Sequence, residues 1–128
     1  RESIALNINL DMVGHSESGE LYAAGAAHTP SLRAILERVS ARAPIRLRLG
    51  HDTPVPGPRD DWTLQSDHGA FHQAGIPFVY FGVEDHPDYH QPSDEVETLT
   101  PGFFVGAART VLDAVRELDR SLEEIAVA

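Results

Sequence analysis

Three residues, Asp11, Tyr89 and His90, carry the side chains best suited to chemistry in this sequence. Asp11 stands where an alternating apolar run ends. A carboxylate there either closes the turn after a strand or offers oxygen to a cation. His90 stands in a loop with carboxylates on both sides. It is either a solvent-facing imidazole or a nitrogen ligand. Tyr89 brings a phenol, which either packs with a wet hydroxyl or donates to a developing anion. Ser66-Asp67-His68 opens a short helix. One reading makes Ser66 its N-cap and Asp67 an anion at the helix amino terminus. The other makes Ser66, Asp67 and His68 supports that orient His90 or a ligand carboxylate by hydrogen bonding. Asp94 either caps the turn after Pro92 or holds the loop that carries His90. Phe71 reads first as core and second as a pocket wall. His15, His28, His51, His72 and His86 match no arrangement and are read as surface or packing residues. Glu84, Asp85 and Asp88 are a solvated run or an attractor for a substrate's amino group.

The elements that must position these residues follow from periodicity. Ile4, Leu6, Ile8 and Leu10 alternate with Ala5, Asn7 and Asn9, which predicts a strand over residues 4–10. A second strand is expected over 21–24. Thr29-Pro30 is a cap followed by a first-turn proline, and Leu32, Ile35, Leu36 and Val39 form one helical face to about Arg42. Ile45, Leu47 and Leu49 alternate with Arg46 and Arg48, which suits an edge strand. Residues 51–65 are a loop with Pro54, Pro56 and Pro58. Ser66 starts a helix of about two turns that Gly75 stops. Residues 78–81 are almost continuously apolar, as in a central strand covered on both faces. After an acidic loop, Thr100-Pro101 starts a last helix whose stripe is Phe104, Ala108, Val111, Val115, Leu118, Leu122 and Ile125. The order predicts a three-layer α/β/α sandwich on a mixed sheet of about four strands.

The 128 residues make one domain, spanning 1–128. Ten basic against twenty acidic residues give a net charge of −10. That excludes a nucleic-acid partner, whose affinity comes from Lys and Arg on phosphates. It disfavours an anionic membrane surface. No apolar run approaches the roughly 20 residues of a membrane span. Without cysteine there is neither a disulfide nor a thiolate metal site. The first residue is Arg1, so the chain reads as excised from something longer, and a native leader would not be visible.

Three motifs occur in order: Asn9-Leu10-Asp11-Met12-Val13-Gly14, then Ser66-Asp67-His68 with Phe71 and Gly75-Ile76-Pro77, then Tyr89-His90-Gln91-Pro92 with Asp94. Together they resemble the carboxyl-terminal half of the catalytic domain of the metallopeptidase family 28 zinc aminopeptidases. The resemblance runs from about Ile4 to the last helix. It implies a fragment of the zinc-dependent exopeptidase (phosphorylase/hydrolase-like) fold, with spatial strand order first, fourth, second, third and the fourth parallel to the first. It implies hydrolysis of amino-terminal residues from peptides by metal-activated water, with two zinc ions in the complete enzyme. Asp11 and His90 would be metal ligands and Tyr89 the oxyanion donor. Met12 would stand beside the metal as a pocket wall. Trp62, in the 51–65 loop, is a further guess for the specificity pocket.

The family's site also needs a His-x-Asp motif, a bridging aspartate and a Glu-Glu pair. The resemblance places all of these before the first strand. The adjacent Glu123-Glu124 lies in the last helix, far from any sheet edge. The expectation is that this chain alone holds zinc weakly or not at all and is inactive. Its expected partners are a peptide with a free amino terminus and the missing amino-terminal half of the same domain. A second copy bound through the exposed edge of strand 4–10 is a further possibility. An extracytoplasmic location is implied by the resemblance only. The alternatives are a glutaminyl-cyclase-like or carboxypeptidase-like relative, a non-catalytic binding module of the same fold, or an unrelated α/β binding domain.

Overall fold

A computed structural model describes residues 3–53 and 60–126. Four strands, β1 (Asn7–Leu10), β2 (Glu20–Ala24), β3 (Arg46–Leu49) and β4 (Phe78–Gly82), form one sheet in the order β1-β4-β2-β3. β1 and β4 are parallel, β2 and β3 are parallel, and β4 runs antiparallel to β2. The sheet is therefore mixed, in the expected strand order. The helices are α1 (Leu32–Arg42), α2 (His68–Gln73), α3 (Pro101–Arg120) and α4 (Leu122–Ala126). Pro54, Pro56 and Pro58 lie outside the described residues.

The two-residue period of the strands separates two cores. Leu21, Ala23, Val79 and Phe81 face α1 and α3, where Leu32, Ile35, Leu36, Val39, Ala107, Ala114 and Leu118 meet them. Ala24, Phe78 and Tyr80 face the other way and pack with Trp62. All of β4 is buried, which is why its sequence shows no alternation. Emptying the Phe81 position by mutation to alanine should cost about 3–5 kcal/mol, since the ring is fully buried.

Several boundaries differ from the sequence reading. β1 is shorter than residues 4–10, and Ile4 and Leu10 are exposed, because an edge strand is covered only along its middle. Thr29 does not cap α1: Leu32 N–H bonds to Thr29 C=O and Arg33 N–H to Pro30 C=O in a preceding turn. Ser66 does not cap α2 with its side chain; Asp67 occupies that position, and the Ser66 hydroxyl is used elsewhere. Gly75 does end α2, at φ 78°. The apolar stripe of α3 is rotated from the expected one. Phe103, Gly106, Ala107, Thr110, Val111, Ala114 and Leu118 are buried, while Phe104 and Val115 are exposed. Gly106 lies on the buried face, and a Cβ there would lie 2.5 Å from Ile45 Cγ2, so part of that face has no room for a side chain. Arg42 clamps α1 to α3, its guanidinium donating to Asp113 at 2.7 and 3.0 Å and to Glu117 at 2.8 Å.

Candidate active site

Parallel pairing of β1 and β4 sets the site. Leu10 lies opposite Phe81, and the ladder continues beyond both strands. Asp11 N–H bonds to Phe81 C=O at 3.1 Å, and Val83 N–H bonds to Met12 C=O at 3.1 Å. The loops that follow the two strands thus leave from one edge of the sheet, the carboxyl edge, where α/β folds gather their sites. A cleft of about 390 Å³ opens there, lined by Asp11, Met12, Trp62, Tyr89, His90 and Asp94 among others. Six sequence candidates from distant segments therefore share one cavity.

Backbone geometry marks the same place. Met12 has φ 61° and His90 has φ 55°, both left-handed and neither glycine. His51, at φ 57°, stacks on Trp62 with ring centroids 3.7 Å apart. Left-handed backbone costs a residue with a Cβ about 1–2 kcal/mol, so the surrounding contacts must hold it. No sequence signal points to this conformation at Met12 or His90.

The Asp11 carboxylate is oriented by a chain of hydrogen bonds whose direction can be worked out. His68 is fully buried, with Nε2 2.7 Å from Trp62 C=O. A carbonyl only accepts, so Nε2 carries the proton and Nδ1 carries the lone pair. Nδ1 accepts from Asn9 Nδ2–H at 3.2 Å. Asn9 Nδ2 also donates to Ser66 Oγ at 3.0 Å. Ser66 Oγ–H is then free to donate to Asp11 Oδ2 at 2.9 Å. Burial holds the His68 pKa below its ordinary value, in keeping with this neutral tautomer. Asn9 can join because alternation puts it on the α2 face of β1, opposite Tyr80. Tyr80 stacks on His68 and donates its hydroxyl to Asp11 C=O at 3.3 Å. Burial, then the Asp11 charge, pushes its phenol up to about 12.

The other candidates fall into place unevenly. Tyr89 is half-buried and stacks on His90, centroids 3.9 Å apart and 19° between planes. Asp94 is exposed at the cleft rim, in a turn closed by its own N–H on Gln91 C=O at 3.0 Å. Asp67 is exposed, away from the cleft, and makes no side-chain hydrogen bond among the described residues. Phe71 is half-buried on α2 and does not line the cleft.

Two residues that the sequence reading set aside belong here. His15 and His86 also line the cleft, and their rings stack with centroids 4.1 Å apart. The available signal was His86-Pro87-Asp88, a His-x-Asp tripeptide that lies after β4 rather than ahead of β1. The importance of Asn9 was equally hidden, since its role depends on His68 being a buried acceptor.

The profile of peptidase family M28 matches residues 1–115. Two solved structures of BSAP, a zinc aminopeptidase from Bacillus subtilis, are similar to the chain at 30% identity and a TM-score of 0.61. The likeness covers 88% of this chain and 27% of theirs, so the chain spans little more than a quarter of the length of those structures. No curated protein sequence matches.

Proposed function

Because the chain belongs to peptidase family M28, we propose that it is part of a zinc-dependent aminopeptidase that removes amino-terminal residues from peptides. The observation that carries this reading is the convergence of Asp11, Tyr89 and His90 on one cleft. Asp11 and His90 fit zinc by donor type, a carboxylate oxygen and an imidazole nitrogen. Ser66 occupies Asp11 Oδ2, and Oδ1 takes no hydrogen bond among the described residues, so one oxygen is left for a cation. A bound zinc would supply Lewis-acid polarisation and an acidified water.

The residues of this chain have supporting parts. Ser66 holds the Asp11 carboxylate in one rotamer. Tyr89, braced against the His90 ring, would donate its hydroxyl to the carbonyl oxygen as negative charge gathers there. Asp85 and Asp94 on the cleft would attract the protonated amino terminus of a peptide. Met12 and Trp62 would form walls for its first side chain. The remaining ligands and the general base would come from further sequence of the parent domain, docked along the outer edge of β1, which pairs with no strand among the described residues. By itself the chain would then bind zinc weakly and turn over little.

The test is hydrolysis of an amino-acid p-nitroanilide with zinc, by the parent protein and by this chain alone. The parent should cleave the free-amine substrate and not its N-acetyl form, and His90→Ala should lower kcat/KM at least 100-fold. Efficient cleavage of the N-acetyl form, or an undiminished His90→Ala enzyme, would refute the reading. Conversion of amino-terminal glutamine peptides to pyroglutamate would favour the cyclase-like alternative instead.

A further inference from the structure

The geometry points to a separate transition-metal site formed by His15, His86 and Asp88, which ties together the two loops that carry Asp11 and His90. Among the described residues, only these three bring His, Asp or Glu ligand atoms from three side chains within 4.8 Å of one another. His15 lies in the loop after β1, and His86 and Asp88 lie in the loop after β4. None of them is Asp11 or His90, so the inference stands or falls independently of the peptidase reading.

The ligand atoms are not otherwise engaged. His15 is 9% exposed, and its Nδ1 is buried without a hydrogen-bond partner. His86 Nδ1 is also buried and unpartnered. Buried polar atoms in folded proteins nearly always find a partner, so two orphans in one stacked pair call for a missing one. His15 Nδ1 lies 3.7 Å from Asp88 Oδ2, too far for a hydrogen bond but suited to two atoms sharing a cation. Asp88 Oδ1 is already held by Ser93 Oγ–H at 2.7 Å, which aims Oδ2 at His15. Glu17, the other charge near His15, lies 3.9 Å from Nε2 and so leaves Nδ1 unoccupied.

The donor set is two imidazole nitrogens and one carboxylate oxygen, with room for water in the fourth position. That suits zinc, with bonds of about 2.0–2.2 Å. Tetrahedral ligands at those lengths lie about 3.4 Å apart, so the His15–Asp88 spacing is nearly right. The widest gap, up to 4.8 Å, must close by about 1.4 Å, and the stacked rings must turn so that both lone pairs meet the ion. Such an ion would fix the spacing of the two loops at the cleft rim.

The experiment is calorimetric titration of the chain with zinc chloride, with hydrogen exchange measured over residues 11–19 and 83–95. Asp88→Asn and His86→Gln are chosen because both positions are only half-buried and the substitutions keep shape. Each should weaken one class of zinc sites at least 10-fold and abolish zinc-induced protection of both loops. Asp11→Asn/His90→Gln should retain that class of sites and that protection. Zinc binding lost in Asp11→Asn/His90→Gln but intact in Asp88→Asn and His86→Gln would overturn the proposal. So would the absence of any zinc binding by the unmutated chain.

Discussion

Ser66 Oγ stands 2.9 Å from Asp11 Oδ2, although 55 positions separate the two in the chain. The hydroxyl has one direction to point, because Asn9 fills its acceptor side. Ser66→Ala should leave the fold intact and free the carboxylate to rotate. Outer hydrogen bonds of this kind contribute about 10–100-fold to metal affinity. Competition with a zinc chelator should reveal such a loss in the parent protein, with recovery in Ser66→Thr. Unchanged affinity in Ser66→Ala would reduce the contact to packing.

His68 ties stability to pH. Its folded pKa is depressed by burial below the ordinary value of about 6.5. The unfolded chain therefore takes up the proton first. Its contribution is fully present above about pH 6.5 and is lost as pH falls towards the folded pKa. Urea unfolding at pH 7.5, 6.5 and 5.5 should give a falling midpoint. His68→Gln, which keeps a donor for Trp62 C=O, should flatten that fall. An identical slope in both proteins would remove His68 as the cause.

Gly82 leaves no room for a side chain. A Cβ there would lie 2.6 Å from the Tyr80 hydroxyl and 2.9 Å from Asp11 C=O. Gly82→Ala should cost about 1–3 kcal/mol, as overpacked sites do. Tyr80→Phe removes the hydroxyl but keeps the ring Cζ, 2.8 Å from that Cβ, so Gly82→Ala/Tyr80→Phe should recover part of that loss and no more. Full recovery would mean that the Tyr80 ring and the Asp11 backbone both yield freely.

Phe104, Leu112 and Val115 form an exposed apolar strip on α3, at 41%, 50% and 38% exposure. If the parent domain covers it, the chain alone should self-associate. Light scattering should show mass rising with concentration, and Leu112→Asp/Val115→Asp should restore a monomer with unchanged circular dichroism. A monomer at every concentration for the unmutated chain would show the strip to be tolerated in water.

The sheet was legible because strands announce themselves by alternation or, for β4, by continuous apolarity. That Asp11 and His90 reach one cleft could be expected from their motifs, Asp11 where β1 ends and Tyr89-His90 in the loop after β4. The α3 stripe was not legible, because its buried face includes Gly106 and Thr110, which hydrophobic periodicity passes over. Ser66 carried two readings, cap and support, and the sequence did not choose between them. A serine before a helix looks like a cap, and only the β1–α2 contact reveals a better acceptor in Asp11. His15 and His86 were set aside because a stacked pair is made by two loops that meet only once β4 lies beside β1.

The left-handed angles at Met12 and His90 have a consequence for any attempt to toughen this protein. Glycine at either position would relieve part of the roughly 1–2 kcal/mol that each angle costs, offset by glycine's greater freedom in the unfolded chain. A library screened for heat resistance alone would sample glycine at residues 12 and 90. The first exchange would slacken the backbone next to Asp11, and the second would delete an imidazole outright. Durability and function compete here at two torsion angles.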